Sequence, residues 1–411
     1  MKLLVISDLH AMSQDLLTVC ESAHTNGASI PGGYNGSTRG LYFIEDRSPS
    51  KNRVLALKKA IEVSQHAGEI DALICLGDIA HQCKRAVALT AWRDISDVAE
   101  DLGINEVIAV PGNHDVAAHE VDFARGSPNA FLEEIRPTFP HIDSTISQNF
   151  HRDQFACFER FNTLVVIINT CSLIGYGGAK KEDLFRKGFI SEKVLSGLED
   201  EISKTTCASV IVAMHHHPIQ VHNTQDLQDD FIEAGPTLID VLQRVGKPSI
   251  ILHGHKHFVN FKAANSNTNA PWILSSSSLG AKPYDGFEEN YSCQFHVIEI
   301  STELRNENSM RGKIWSWDWI LSAWEPARSN GLPAQTGFSN ATDLRTLAHE
   351  IHSLVKDGGT LSGQKAKDKV PELDFLTIDR LEDLKKTLRQ VHRVECVSEG
   401  GNSKLSFYKE E

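Results

Sequence analysis

Short hydrophobic runs and amphipathic segments alternate along most of the first 300 residues. Aliphatic runs bounded by polar residues indicate buried strands, and apolar residues spaced three and four apart indicate helices. This pattern predicts strands at residues 2–6, 72–76, 107–110, 164–169, 210–214, 249–252, 272–274 and 294–300, and helices at 54–65, 90–102, 191–203 and 238–245. Such an alternation is typical of a layered α/β domain.

Two stretches interrupt the alternation. Residues 20–52 are rich in Gly, Ser and Asn and lengthen the loop after the first strand. Residues 116–160 carry Pro128, Pro137 and Pro140 together with several aromatic residues and histidines. Because Gly and Pro favour turns and loops, we interpret both stretches as insertions. Each begins close behind a strand end that carries polar residues, so each is expected to cover a site there.

An aromatic strand is predicted further along the chain. Trp315, Trp317 and Trp319 alternate with polar residues, so residues 313–320 are expected to form an amphipathic strand with one aromatic face. Core packing or burial at a sheet edge is the favoured interpretation of this face. A face that stacks on substrate is the alternative.

The composition changes after residue 325. A Pro- and Gly-containing segment predicts a linker, and amphipathic helices are predicted at 342–355 and 378–391, with a short edge strand at 405–408. We therefore predict one domain at 1–325 and a mainly helical C-terminal extension at 326–411. The extension is expected to serve packing, partner binding or homo-oligomer formation.

Composition and charge narrow the class of protein. The chain has 411 residues, of which 41% are hydrophobic and 23% charged, as in ordinary globular proteins. A formal charge of −13 leaves nucleic acid binding possible but does not favour it. The eight cysteines form no Cys-x-x-Cys pair, and no apolar run suits a signal peptide or a membrane span. We predict a cytoplasmic protein without a membrane partner.

Five clusters of metal-binding residue types follow the predicted strands. They are Asp8 with His10, Gly77-Asp78, Gly112-Asn113-His114-Asp115, His215-His216-His217-Pro218 and His253-Gly254-His255-Lys256-His257. Strand ends are where α/β folds gather their chemistry, so the spacing predicts one site built from five strand ends.

The residue types in these clusters define the metals that would suit them. Asp, Asn and His without Cys supply oxygen and nitrogen ligands, which suit Mn, Fe, Zn or Mg and do not choose among them. Asp78 is the natural carboxylate to bridge two cations. His255 and His257 alternate, so in an extended segment both face the same way. A lone Asp-x-His is usually a solvated turn, and the interpretation depends on the whole set.

Taken together and in this order, the five clusters resemble the calcineurin-like metallophosphoesterases over roughly residues 1–300. The resemblance implies a four-layer α/β/β/α sandwich, an enzyme that hydrolyses phosphoesters, and two divalent metal ions. It implies Asp8, His10, Asp78 and His257 around one metal, and Asp78, Asn113, His216 and His255 around the other. His216 is chosen because the family's ligand lies two residues before the proline, although the run of three histidines leaves His215 and His217 open.

The resemblance also implies a mechanism. A hydroxide that bridges the two metals would attack phosphorus in line, and His114 would assist the leaving group. His81, Asp115, His215, His217 and His253 are candidates for contacts with substrate or for support of the ligands. His81 either touches substrate, positions His114 or belongs to a surface loop.

The substrate class remains divided between branches of the family. His81 follows Asp78 by three positions, as in the DNA-repair nuclease branch. His216-His217-Pro218 is more similar to the cyclic-nucleotide and glycerophosphodiester phosphodiesterase branch. We predict a phosphodiesterase acting on a small phosphodiester, with a nucleotide as one option. A DNA or RNA nuclease, a phosphomonoesterase and a non-catalytic scaffold protein are the alternatives.

Overall fold

The computed structural model describes most of the chain. The described residues are 1–15, 42–81, 85–116, 128, 130–176, 181–220, 230–281, 292–301, 310–328, 330–339 and 343–409. Much of the predicted insertion at 20–52, and residues 117–127 and 129 of the insertion at 116–160, lie outside them.

The first sheet combines the parallel strands of the amino-terminal region with antiparallel strands from residues after 293. Its strands are β1 (Lys2–Ile6), β2 (Ala72–Cys75), β3 (Val107–Ala109), β10 (Gln294–Ile300), β11 (Arg311–Ile320), β12 (Ala323–Pro326) and β13 (Gln335–Ser339). The order is β12-β11-β10-β1-β2-β3, and β13 also pairs with β11. Strands β1, β2 and β3 are parallel, so their carboxyl ends meet at one edge.

The second sheet contains the remaining strands of the main domain. These are β4 (Phe155–Arg160), β5 (Thr163–Ile168), β6 (Ser209–Ala213), β7 (Ser249–His253), β8 (Asn260–Ala263) and β9 (Trp272–Ser275), in the order β4-β5-β6-β7-β9-β8. Strands β5, β6, β7 and β9 are parallel. The ends of β6 and β7 therefore also lie at a common edge.

The helices cover the outer faces of the two sheets. The main domain contains α1 (Arg53–Glu62), α2 (Arg85–Asp101), α3 (Ala130–Glu134), α4 (Ser144–Asp153), α5 (Lys181–Lys187), α6 (Glu192–Lys204) and α7 (Gly235–Val245). One apolar core lies between the sheets, a second packs α1 and α2 on the first sheet, and a third packs α6 and α7 on the second. The predicted four-layer α/β/β/α sandwich is confirmed.

Local signals in the sequence account for several of these boundaries. Asn52 caps α1 by accepting hydrogen bonds from the backbone N–H groups of Val54 and Leu55. Ser191 caps α6 in the same way. Gly246 ends α7 in the left-handed conformation, with φ of 77°. The predicted insertion at 116–160 is less irregular than expected, because it contains α3, α4 and β4.

The C-terminal extension has a core of its own. It consists of α8 (Leu344–Leu354), β14 (Thr360–Ser362), α9 (Gly363–Lys369), a 3₁₀ helix (Pro371–Phe375), α10 (Ile378–His392), β15 (Val394–Glu399) and β16 (Lys404–Lys409). The extension is more than helical, and the strand predicted at its edge, β16, is the middle strand of the order β14-β16-β15.

The structure places the change of architecture later than residue 325. That position falls inside β12, and the predicted linker contains β13, which pairs with β11 of the first sheet. The separate core begins with α8. Among the described residues, none of the helices has both the length and the apolar character needed to cross a membrane.

Candidate metal centre

The metal-binding residue types gather where strands of the two sheets end. Asp8 follows β1 and Asp78 follows β2, and the backbone N–H of Asp8 donates to the carbonyl of Gly77 at 3.0 Å. His10 and His257 lie beside them, and His255 follows β7. All five of these Asp and His residues have positive φ, between 45° and 87°. Such conformations are strained in residues with a Cβ, and they persist where the surrounding fold enforces them.

A first group of donors surrounds one candidate position. It consists of Asp8, His10, Asp78 and His257, all buried, with ligand atoms within 4.8 Å of one another. His10 Nε2 lies 3.4 Å from Asp78 Oδ2 and 2.9 Å from His257 Nε2. His257 Nε2 lies 3.6 Å from Asp8 Oδ1. Two carboxylates and two imidazoles therefore converge on one point.

A second group lies on the other side of Asp78. It contains Asp78, His215 and His255. His215 Nε2 is 3.4 Å from Asp78 Oδ2, the distance that separates this oxygen from His10 Nε2. The amide oxygen of Asn113 lies 3.0 Å from His215 Nε2 and 2.9 Å from His255 Nδ1. One oxygen of Asp78 is thus placed between both groups, as a bridging ligand requires.

Hydrogen bonds behind the second group fix the orientation of its imidazoles. His215 Nδ1 lies 2.7 Å from the carbonyl oxygen of Leu76, and His255 Nε2 lies 2.7 Å from that of Arg186. A carbonyl only accepts, so these nitrogens carry the protons. The Nε2 atom of His215 and the Nδ1 atom of His255 then face the site, where each would donate a lone pair to a bound metal in place of a proton.

His216 is placed differently from the prediction. Its Nδ1 lies 2.8 Å from the hydroxyl of Thr170, and its Nε2 lies 3.3 Å from the carbonyl of Phe185. Both ring nitrogens are therefore engaged by the protein, and the ring belongs to neither group of ligand atoms found among the described residues. The geometry favours His215 over His216, because the ring of His215 shares a group of ligand atoms with Asp78 and His255.

Electrostatics distinguish the two aspartates of the site. Burial favours the neutral form of Asp78, but His215 and His114 outweigh it and hold the pKa of Asp78 well below its usual range. Burial and the nearby Asp78 charge raise the pKa of Asp8 to about 7. Burial opposes the charged form of His215, yet Asp78 raises its pKa to about 9. Cations bound here would stabilise the ionised forms of Asp8 and Asp78.

His114 is the most accessible of the histidines at the centre of the site. It is half-buried, whereas His10 and His81 are buried. Its ring stacks on His81 with centroids 5.0 Å apart and meets the ring of Phe185 edge-on at 5.3 Å. Its backbone N–H donates to Asp78 Oδ1 at 2.8 Å. His114 is therefore placed beside the bridging aspartate with one side open.

His81 is buried rather than part of a surface loop. It is 4% exposed, and its Nδ1 lies 3.1 Å from Nδ1 of His10. Nitrogens of His10, His81 and His114 lie within 4.8 Å of one another. His81 thus supports both a metal-site histidine and the accessible His114.

Asp115 supports the backbone. Its Oδ1 accepts hydrogen bonds from the N–H groups of Ile79 and Ala80, and its Oδ2 accepts one from Gly112. It therefore joins the loop after β2 to the loop after β3. Gly112 is required here because a Cβ at this position would overlap with the carboxylate of Asp78.

His217 and His253 lie behind the site. Both are buried, and their rings meet at 4.4 Å. His253 Nδ1 lies 3.2 Å from the carbonyl of Gly254. Neither residue belongs to the groups of ligand atoms found in the described part of the chain. Their placement is consistent with support of the segment that carries His255.

Several supporting residues carry no signal in the sequence. Thr170 and the carbonyls of Phe185 and Arg186 fix the rings of His216 and His255. The hydroxyl of Ser7 donates to Asp8 Oδ2 at 2.5 Å. Backbone carbonyls are common to every residue, so only the fold reveals which ones take part.

The donor set fits two divalent cations. It combines carboxylate, amide and imidazole donors, each group is compact, and one aspartate oxygen lies between the groups. Burial also lowers the pKa of His10 and His255, which keeps both rings neutral and able to donate a lone pair. The fold and the site together define a layered α/β protein with a two-metal centre.

The sequence profile of the calcineurin-like phosphoesterase family matches residues 1–259, and the chain belongs to that family. The profile described as wHTH-Calcineurin_assc matches residues 337–390. Family membership agrees with a requirement for two metals, whose identity the donor set leaves open.

Two curated proteins are similar to this chain. It is 26% identical over 187 residues to glycerophosphodiester phosphodiesterase GpdQ of Enterobacter lignolyticus, covering 46% of this chain and 56% of that protein. It is 21% identical over 206 residues to a probable cyclic nucleotide phosphodiesterase of Vesicomyosocius okutanii, covering 50% of this chain and 70% of that protein. The chain thus spans little more than half of the first relative.

A solved structure is also similar. A dimetal phosphatase from Danio rerio superposes with a TM-score of 0.49 at 15% identity, covering 78% of this chain and 96% of that one.

Proposed function

We propose that this chain is a two-metal phosphodiesterase. The observation that carries the proposal is the position of Asp78 Oδ2, at 3.4 Å from both His10 Nε2 and His215 Nε2. That oxygen joins two compact donor groups at the edge where the strands end. Membership of the calcineurin-like phosphoesterase family supports hydrolysis of a phosphoester as the reaction.

Each donor group would hold one divalent metal. Asp8, His10, Asp78 and His257 would hold the first, and Asp78, Asn113, His215 and His255 the second. When bound, the two metals supply a Lewis acid for the phosphoryl oxygens and lower the pKa of water. The proposal replaces His216 by His215 and otherwise keeps the predicted ligands.

His114 is proposed to assist the leaving group. It is half-buried beside Asp78, and the stacked ring of His81 and the edge of Phe185 limit its rotation. An imidazole held in this way can donate a proton to the departing alkoxide oxygen.

A small phosphodiester is the proposed substrate. Both curated relatives carry phosphodiesterase in their names, one for glycerophosphodiesters and one for cyclic nucleotides. Their modest identity and partial coverage leave the choice between these substrates to experiment. Manganese is the first metal to test, and a location in the cytoplasm stays a prediction.

A nuclease is the second candidate. His81 and the C-terminal match at residues 337–390 favour it. The charges of α10 argue against it, because Lys385, Lys386 and Arg389 each pair with a carboxylate. Paired cations leave little net charge for phosphate contacts, which dominate affinity for nucleic acids. The formal charge of −13 acts in the same direction.

Turnover of bis(p-nitrophenyl) phosphate by the full chain with Mn²⁺ tests the proposal. Asp78→Ala is expected to reduce kcat/KM by at least about 1,000-fold, because it removes a ligand shared by both metals. Asp71→Ala is the control, since Asp71 lies before β2 and outside both groups. Absence of metal-dependent turnover, or equal turnover in Asp78→Ala, would refute the proposed activity.

A substrate panel then separates the branches. Glycerophosphodiesters, cyclic nucleotides, phosphomonoesters, and single- and double-stranded DNA and RNA are compared under the same conditions. Preference for the small diesters is expected. A kcat/KM highest for oligonucleotides would establish the nuclease, and one highest for monoesters would establish a phosphomonoesterase. Bound metal without turnover of any substrate would support the scaffold.

A further inference from the structure

A second large concavity lies away from the metal centre. A cavity of about 790 Å³ opens where the first sheet meets the C-terminal extension. Lys59 and His66 line it from α1 and the segment after α1, Trp315 lines it from β11, which we call the floor, and Lys367 lines it from α9. No lining residue belongs to the donor groups found among the described residues. The volume lies within the range of small-molecule sites.

A buried histidine, His66, indicates that this cavity can bind a ligand. The residue is 1% exposed, and its Nδ1 has no hydrogen-bond partner among the residues that the structure describes. Its Nε2 lies 3.5 Å from the side-chain amide nitrogen of Gln65, which donates, so the ring proton resides on Nδ1. A buried N–H without an acceptor costs free energy. A ligand in the cavity could supply the missing acceptor.

The floor of the cavity is aromatic. The ring of Trp315 is half-buried and meets His66 edge-on, with centroids 4.4 Å apart. The neighbouring Trp317 is stacked on Phe295 and so serves the core. Trp315 is therefore the ring with a surface left for a ligand. A flat aromatic ligand is stabilised by stacking on such a side chain.

The rim of the cavity is positively charged. Lys59, Lys313 and Lys367 line it together with two carboxylates, Glu325 and Asp374, which leaves one net positive charge. Lys313 and Lys367 both pair with Asp374, so Lys59 is the cation available to a ligand. The whole chain has a formal charge of −13, so this local excess is contrary to the overall balance. An anionic group on the ligand would be attracted here more than to the average surface.

We propose that this cavity binds a nucleoside monophosphate, with the base on Trp315, a base acceptor at His66 Nδ1, and the phosphate at Lys59. The base accounts for the aromatic floor and the unpaired N–H, and the phosphate accounts for the charge. A sugar without a base would leave His66 and the aromatic ring unexplained. The site lies between the main domain and the extension, so occupancy would link the two.

Binding of AMP and GMP to the full chain carrying Asp78→Asn tests this proposal without hydrolysis. Calorimetry and tryptophan fluorescence should show a Kd below about 1 mM, at least about tenfold tighter than that of ribose 5-phosphate. His66→Phe and Trp315→Leu should each weaken binding by about tenfold. Lys59→Ala should weaken binding of AMP but leave that of adenosine unchanged.

Lys58→Ala is the matched control. Lys58 lies on the same helix but pairs with Asp101 and does not line the cavity. His66→Phe keeps the ring that meets Trp315, and Lys59 is exposed, so these two variants decide the result even if Trp315→Leu fails to fold. The proposal would be overturned if neither nucleotide bound at 5 mM, or if His66→Phe and Lys59→Ala both bound AMP as tightly as the chain without these substitutions.

Discussion

The metal centre and the C-terminal extension differ in which side chains they bury and in how much strained backbone they contain. At the metal centre, charged and polar side chains are buried, and five of the eleven described non-glycine residues with positive φ are found there. Residues 343–409 of the extension contain one, Arg393, at the end of α10. The extension buries leucines and leaves most of its ion pairs at the surface.

The difference shows where the fold gives up stability for chemistry. Buried carboxylates and strained backbone cost free energy, and they persist only where the surrounding structure enforces them. Asp115 does so at the metal centre by tying two loops together with three backbone hydrogen bonds. The core of the extension is built mainly from aliphatic side chains, with one buried polar residue, Asn402, that donates to the carbonyls of Leu373 and Leu376. Substitutions in the two regions should therefore have different effects.

After Asp78→Ala, the largest effect is expected from His215→Ala compared with His216→Ala. His215→Ala removes a proposed ligand, so the chain should retain about one metal and lose at least about 100-fold in kcat/KM. His216→Ala should retain two metals and lose less than about tenfold. Metal content by mass spectrometry and turnover of bis(p-nitrophenyl) phosphate measure both. The reverse order would restore His216 as the ligand.

The choice between these two histidines could not be made from the sequence. The end of a strand and a motif spacing are local, so both identify the cluster at residues 215–218. Which ring faces the metals depends on Leu76, whose carbonyl fixes His215 from 139 residues away. Thr170 and Phe185 contact the two ring nitrogens of His216, and both residues are also distant from His216 in the sequence. Tertiary contacts of this kind produce no periodic pattern in the sequence from which they could be predicted.

More of the fold than of the site could be predicted from the sequence. Strands such as β1 and β10 are short aliphatic runs that the pattern located to the residue, and the helix ends at Ser191 and Gly246 follow local capping rules. The small sheet of the extension was missed because half of the residues in β15 are polar, so its hydrophobic pattern is weak. Its identity depends on pairing with β16, which only the folded chain shows.

The second effect concerns the core of the extension. Leu384 of α10 is fully buried there, so Leu384→Ala should lower the free energy of unfolding of the extension by about 2–5 kcal/mol. Turnover at the metal centre should change less than about twofold, because the extension has a core of its own. Urea unfolding and turnover measure the two quantities.

Val391→Ala is the control for this experiment. Val391 lies on the same helix but is 67% exposed, and its truncation should change stability by less than about 0.5 kcal/mol. If turnover falls in parallel with stability in Leu384→Ala, the two regions unfold as one unit. The metal centre and the extension would then differ in amino-acid composition but not in when they unfold.

The third effect separates two roles of His81. His81→Ala removes the ring that stacks on His114 and should lower kcat by about tenfold, with both metals retained. His81→Phe keeps a stacking ring but removes the nitrogen beside His10, so it should recover most of the rate if stacking is what matters. Equal losses in the two variants would assign the effect to the contact with His10 instead.

The smallest effect is expected where the two regions meet. Asp374 of the 3₁₀ helix lies 2.8 Å from the ammonium of Lys313 on β11 and 2.7 Å from that of Lys367 on α9. Burial favours the neutral form of Asp374, but the two lysines outweigh it and lower its pKa. Asp374→Asn should therefore reduce the free energy of unfolding at pH 7 by about 1 kcal/mol.

The sign of the pH dependence follows from the lowered pKa of Asp374. A carboxylate with a folded-state pKa below its unfolded value stabilises the fold above the unfolded pKa, near 3.8, and this contribution is lost as pH falls through the folded pKa. The difference between wild type and Asp374→Asn should thus shrink when urea unfolding is repeated at pH 3 instead of pH 7. Asp357→Asn is the control, because Asp357 pairs with Lys409 at an exposed position and should change little at either pH. A difference that stays constant between the two pH values would show that packing of the 3₁₀ helix, rather than its charge, joins the extension to the first sheet.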